Sequence, residues 1–161
     1  MQCTTATAER IADLLAGEDG IAARIAKLRV HVDQRVVSGS AAFDDVRRLR
    51  YAAFRHEGGT AVRADRRLGD RFDDSPNAAV VAIRFEGRLC ATIRLHMVES
   101  VLDDSPAVHV FADHLVPLIE HGERLVDPNS FCVDPLLAGR FPEFAYLALR
   151  LPFMAAGLRR R

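Results

Sequence analysis

Residues 78–97 constrain the fold more than any other stretch of the chain. Ala78 to Phe85 and Arg88 to Met97 both read as strands, and only Glu86-Gly87 lies between them. A connection that short makes an antiparallel hairpin. In the second strand Leu89, Ala91, Ile93, Leu95 and Met97 fall on one face, which reads as core. Arg88, Cys90, Thr92, Arg94 and His96 fall on the other. An arginine and a histidine in mid-sheet need an explanation, because a charged group there is expensive to bury unless it is paired.

The elements around the hairpin follow from periodicity. Residues 5–29 read as helix in two pieces: Ile11, Leu14 and Leu15 form a stripe, Asp19-Gly20 interrupts it, and Ile21, Ile25 and Leu28 resume it. From Leu28 the period becomes two, with Leu28, Val30 and Val32 alternating with polar residues, which predicts a strand through about Val37. Ser38-Gly39-Ser40 breaks it. Ser40 is the expected N-cap of a helix over 41–54, with Asp44 and Asp45 in its first turn. Phe43, Val46, Leu49 and Ala53 make that helix's buried stripe, Arg47, Arg50 and Phe54 lie on a neighbouring face, and Gly58-Gly59 ends it. Residues 60–76 read as a charged, partly ordered loop of the length that is usually functional or mobile. Residues 100–122 mix loop and short helix. Residues 124–133 make a fourth strand whose Pro128 implies a bulge or an edge position. An apolar helix over 144–158 closes the pattern, with Pro142 near its start and Gly157 near its end.

A chain of 161 residues is one domain by length. The organisation expected is a helical N-terminal appendage over 1–27 and a main domain over 28–161. Basic and acidic residues cancel at 22 each, so no net field argues for nucleic acid or a membrane surface. Cys3, Cys90 and Cys132 are odd in number and contain no CxxC pair, which fits a reducing compartment. Glu9, Asp13, Glu18 and Asp19 spoil a signal-peptide reading, and no apolar run is long enough for an integral membrane segment. A cytoplasmic location is expected.

Four blocks then recur in a telling order: Leu49-Arg50-Tyr51-Ala52-Ala53-Phe54, Asp70-Arg71-Phe72-Asp73, Arg94-Leu95, and Asp127-Pro128-Asn129-Ser130-Phe131-Cys132-Val133-Asp134. Over residues 28–158 this order resembles the N-terminal half of the acyl-homoserine-lactone synthases and the related long-chain N-acyl amino acid synthases, a branch of the GNAT N-acyltransferases. The resemblance implies an α+β, GNAT-like fold, a mixed and mainly antiparallel sheet flanked by helices, incomplete at the C-terminus because the family continues with further strands. It implies transfer of a fatty acyl group from acyl carrier protein (or acyl-CoA) as co-substrate to the amine of an amino acid or related acceptor, with no bound cofactor.

The same resemblance assigns roles. Arg50 and Phe54 match the family's Arg-x-x-x-Phe at the acceptor site, where a guanidinium suits carboxylate recognition. Asp70 and Asp73 match its Asp-x-x-Asp, which holds arginines in place or meets an acceptor's ammonium group. Arg94 matches its Arg-Leu as a catalytic-site residue, with Asp70 or Asp73 as the natural partner. Asp127 stands where the family has a glutamate and is the candidate general base. Ser130 stands where the family has an arginine. The backbone of Phe131, Cys132 and Val133 is where the acyl donor would pair. Each residue has a plainer reading: a surface arginine, a core phenylalanine, a solvated acidic turn.

Several other readings fail. Cys90 and Cys132 lie in apolar strands and suit inert core better than a thiol nucleophile. His109, His114 and His121 lack metal-ligand spacing, so no metal is expected. Ala138-Gly139-Arg140 is not a phosphate-binding glycine loop, which argues mildly against free acetyl-CoA as donor. Arg159-Arg160-Arg161 could dock an acidic carrier protein or be a solvated end. Three functions stay open here: the acyltransferase, a non-catalytic relative that binds acyl groups or a partner, and an acetyl-CoA acetyltransferase.

Overall fold

The computed structural model describes residues 3–158, so the terminal arginines lie outside the described residues. Four strands form one antiparallel sheet in the order β1-β2-β3-β4: β1 Val32–Val36, β2 Ala78–Phe85, β3 Arg88–Val98 and β4 Leu125–Val133. The hairpin sits at its centre. Glu86 and Gly87 both have positive φ, 50° and 77°, the two left-handed residues of a tight turn whose twist suits the strands it joins.

Helices cover both faces. On one face Val81, Ile83, Phe85, Ala91, Ile93 and Leu95 pack with Ala8, Ile11 and Leu15 of α1 (Thr5–Leu15), Leu28 of α2 (Ile21–Arg29), and Phe144, Leu147 and Ala148 of α7 (Glu143–Leu158). On the other, Val80, Ala82, Leu89 and Cys132 pack with Val46, Leu49 and Ala53 of α3 (Ser40–His56). Residues 100–122 hold α4 (Pro106–Val110) and α5 (Ala112–Glu120), and a short α6 (Pro135–Ala138) follows β4. This α6 has no periodicity to announce it; Asp134 caps it by accepting from Leu136 N–H at 3.0 Å.

Three details depart from the sequence reading. The strand does not begin at Leu28: that residue completes the Ile21–Ile25–Leu28 helical stripe, and β1 starts at Val32. Ser40 does not cap α3. Gly39, with φ 79°, occupies the cap position and Ser40 is the first helical residue. Leu89 does not share a face with Ala91. Arg84 pairs with Leu89 and Ile83 with Ala91, so Cys90 is an extra residue in the ladder and the alternation inverts there. Leu89 therefore packs on the α3 side. The polar face of β3 is itself buried: Thr92, Arg94 and His96 lie under α3 and the loop after it.

The helices at the N-terminus are tied down at two points. Arg24 donates to Glu143, whose side chain is fully buried, at 2.5 Å. The Cys3 and Cys90 thiols touch at 3.2 Å, and Cys3 Sγ–H also faces the Leu89 carbonyl at 3.4 Å. The hydrogen bond with Cys90 and burial push the Cys3 thiol up, which suits a packing role.

Candidate active site

The site grows from the loop that follows α3. Gly58, with φ 75°, turns the chain out of the helix. The loop then returns to α3 at Leu68, whose N–H donates to the Arg47 carbonyl at 2.9 Å. Gly69 follows, and a Cβ there would lie 2.9 Å from both Arg47 Nε and Asp73 Oδ2, so those side chains would have to shift to admit one. Asp70 caps a 3-10 turn over Arg71–Asp74 by accepting from Phe72 N–H at 2.9 Å. That turn aims Asp70 and Asp73 at the buried polar face of β3.

Arg94 receives them. Its Nη1 donates to Asp70 Oδ1 at 2.5 Å and to Asp73 Oδ1 at 2.7 Å, and its Nη2 donates to Asp70 Oδ2 at 3.0 Å. Nε donates to Asn129 Oδ1 at 2.6 Å. The partner demanded by a buried mid-strand arginine is thus present twice over. Burial works against the Arg94 charge, yet Asp70 and Asp73 outweigh it and hold the guanidinium more firmly protonated than a free one. Burial likewise disfavours the Asp70 carboxylate, and Arg94 outweighs that, keeping Asp70 below the usual carboxylate range.

Arg50 comes from α3, where it is only 2% exposed although it lies on a helix otherwise packed by apolar residues. Its Nη1 donates to Asp73 Oδ1 at 2.6 Å. Its Nε and Nη2 are buried and have no partner. Arg47 stands 3.9 Å from Asp73. Three guanidiniums therefore surround two carboxylates, leaving one positive charge in excess. Arg50, Phe54, Gly59, Thr60, Gly69, Asp70 and Ser130 line a cleft of about 300 Å³ beside this cluster.

The far wall is β4, the outermost strand of the sheet. Thr92 pairs with Cys132 and Arg94 with Asn129, so β4 carries one extra residue between them, and Ser130 sits there with φ 47°. Pro128 thus lies on an edge strand, one of the two positions it implied, and the bulge is two residues further on. It lets Asp127 and Asn129, and beyond it Cys132, all face α3. Cys132 is buried, which pushes its thiol up to about 12 and makes it no nucleophile. Phe131 and Val133 lean on the opposite core.

Asp127 is half-buried opposite His96, and its Oδ2 accepts from Ala107 N–H at 3.0 Å in the first turn of α4. It borders a second hollow of about 250 Å³ walled by Val98, Val108, Leu115, Leu125 and Val126. The structure therefore gathers Arg50, Asp70, Asp73 and Arg94 into one cluster with Phe54 beside it, and sets Asp127 at a neighbouring hollow. Sequence reasoning did not single out Phe72 or Asn129. The Phe72 ring lies 5.7 Å from the Arg94 guanidinium and edge-on to His96 at 5.9 Å. Asn129, two residues from Asp127 on an alternating strand, was open to discovery by periodicity alone. Among the described residues no three His, Cys, Asp or Glu side chains are grouped to hold a metal ion, and no helix is long and apolar enough to cross a membrane.

The four-stranded antiparallel sheet with helices on both faces is an α+β fold of the GNAT-like kind. A family model described as "N-acyl amino acid synthase FeeM" matches residues 45–160, the span that holds every element of the site, and the chain belongs to that family. Among solved structures it is similar to FeeM, an N-acyl amino acid synthase from uncultured soil microbes, at a TM-score of 0.62 and 18% identity, over 80% of this chain and 66% of that one. This chain thus spans just under two thirds of the length of that protein. No curated protein matches it by sequence.

Proposed function

We propose that the chain is an N-acyltransferase that moves a fatty acyl group from a thioester donor to the amine of an amino acid. The observation that carries this reading is the unpartnered side of Arg50. Buried N–H donors without acceptors are costly, and Nε with Nη2 is the edge of a guanidinium that matches a carboxylate with two parallel hydrogen bonds. The excess positive charge of the cluster asks for an anion of the same kind. Arg94 has its donors committed to Asp70, Asp73 and Asn129, so its part is to hold the loop against the sheet. Phe54 closes the side of the cleft.

The acyl donor lies along β4, its amides pairing with the backbone of Phe131, Cys132 and Val133, and its chain enters the apolar hollow beside Asp127. The amine attacks the thioester carbonyl and gives up one proton to Asp127, the carbon–sulfur bond breaks, and Asp127 passes that proton on to the leaving thiolate, which departs as the thiol. Asp127 and Ser130 are three residues apart, roughly 10 Å along an extended strand, so that transfer runs through water. Acyl carrier protein is the proposed carrier and a cytoplasmic location follows from it, with acyl-CoA as the alternative donor.

Incubating the purified chain with acyl-loaded carrier protein or acyl-CoA and mixed amino acids, with mass spectrometry of products, tests this. N-acyl amino acid should form with the wild type. Arg50→Gln should raise KM for the amino acid, and Asp127→Asn should lower kcat roughly 10²–10⁴-fold with donor binding kept. No product from a folded chain with either donor would reject the reading, in favour of an acyl-binding relative without catalysis.

A further inference from the structure

His96 is fully buried in the cluster and has no part in the chemistry above. Its hydrogen bonds permit only one protonation state. Arginine carries donors alone, so Arg94 Nε, 2.6 Å from the Asn129 side chain, dictates that the amide oxygen faces it. The amide nitrogen then faces His96 Nδ1 at 3.0 Å and the Asp127 carbonyl at 3.1 Å. Nδ1 must accept. The ring proton therefore sits on Nε2, which donates to the Phe72 carbonyl at 3.2 Å. A second proton on Nδ1 would meet the Asn129 N–H, and turning the amide over would set its nitrogen against Arg94 Nε. Either outcome places two donors face to face in a water-poor cluster, where an unmade hydrogen bond costs most.

We propose that His96 is a positioning residue of this site. In its neutral form it holds Asn129, and through Asn129 the Arg94 guanidinium, against the loop that carries Asp70, Phe72 and Asp73. Uptake of one proton by His96 releases that loop and closes down acceptor binding. The inference rests on the reading of the Arg50 cleft as the acceptor site. The groups facing the ring come from three elements. Arg94 neighbours it on β3, Asp127 and Asn129 oppose it on β4, and Asp70 and Phe72 cover it from the 3-10 turn. His109 of α4 lies beyond the Phe72 ring at 5.5 Å, with Arg71 and Asp104 as its own partners. Burial first, and then Arg94, push His96 below the ordinary histidine range; the Phe72 carbonyl, Asp127 and Asp70 pull weakly the other way. An unfolded histidine takes its proton near pH 6.5, as a rough reference, and folded His96 only at lower pH. Between those values the unfolded chain binds more protons, so this contribution to stability is complete above about pH 6.5 and is lost as the pH falls through the folded value.

Nitrogen NMR of the imidazole decides the matter on the protein itself. Wild-type His96 should carry its proton on Nε2 alone and show no titration step near the ordinary value of about 6.5. The amides of residues 70–74 should lose their folded shifts in the same pH interval in which His96 finally titrates. Asn129→Asp replaces the donor facing Nδ1 with an acceptor while still accepting from Arg94. In that variant His96 should take its second proton at higher pH than in the wild type, and the acid limb of acyl transfer should move with it. A proton on Nδ1 in the wild type, ordinary titration, or loop amides indifferent to the state of His96 would overturn the proposal. If Asn129→Asp does not fold, the wild-type tautomer and loop titration alone decide. If acyl transfer is absent at every pH, the functional reading falls while the NMR result for His96 stands.

Discussion

Asp70 and Asp73 offer the same charge to the same guanidinium from different surroundings. The Asp73 side chain is 0% exposed and also holds Arg50, whereas the Asp70 side chain is 49% exposed. Removing one partner of a buried pair leaves an uncompensated charge and costs about 3–5 kcal/mol. An exposed pair contributes up to about 1 kcal/mol. Asp73→Asn should therefore lower the unfolding free energy in urea by about 3–5 kcal/mol, as expected for stranded buried charge. Asp70→Asn should cost about 1 kcal/mol and act mainly on acceptor binding. Equal losses would mean that the two carboxylates share one environment.

At the scale of an element, the bulge in β4 is what shapes the site. One extra residue at Ser130 sets Asp127 and Asn129 opposite His96 and Arg94 and still returns Cys132 to the α3 core. Ser130 holds a left-handed φ of 47°, a conformation a β-branched residue enters with strain of about 1–3 kcal/mol. Ser130→Gly should leave the urea midpoint nearly unchanged, since relief of strain offsets glycine's greater freedom in the unfolded chain. Ser130→Val should lower stability by about 1–3 kcal/mol and weaken the Arg94–Asn129 contact with it. If valine were as well tolerated as glycine, the bulge would not depend on this conformation.

At the scale of the whole molecule, the two N-terminal helices behave as one wall of the core. We propose residues 1–27 as a packed appendage whose apolar side chains the sheet cannot do without. Ala8, Ile11 and Leu15 are buried against it, and Arg24 is the partner of the buried Glu143. Each large apolar side chain buried contributes about 1.5–3 kcal/mol, and total stability is on the order of 5–15 kcal/mol. A chain that starts at Leu28 should lose its cooperative thermal transition by circular dichroism. A sharp transition within a few degrees of the full-length value would instead show an independent domain.

The chain's own pattern determined the elements. Period-two alternation and a two-residue connection leave residues 78–97 little choice but a hairpin, and the stripe of α3 names the residues of that helix that face the sheet. The pairing of Arg94 with the aspartates was legible too, because burying a charge in mid-strand demands a partner wherever the chain supplies one. Tertiary structure decided the rest. Bulges at Cys90 and Ser130 each add one residue to a ladder and invert the alternation; no local pattern marks the first, and Pro128 signals the second without fixing its position. Leu28 satisfied both a helical and a strand period, and packing between α1, α7 and the sheet chose the helix. The free edge of Arg50, the glycine fit at Gly69 and the His96–Asn129–Arg94 chain exist only because segments distant in sequence converge. Hydrogen-bond direction between such segments is a property of three-dimensional geometry, and a linear string of residues does not contain it.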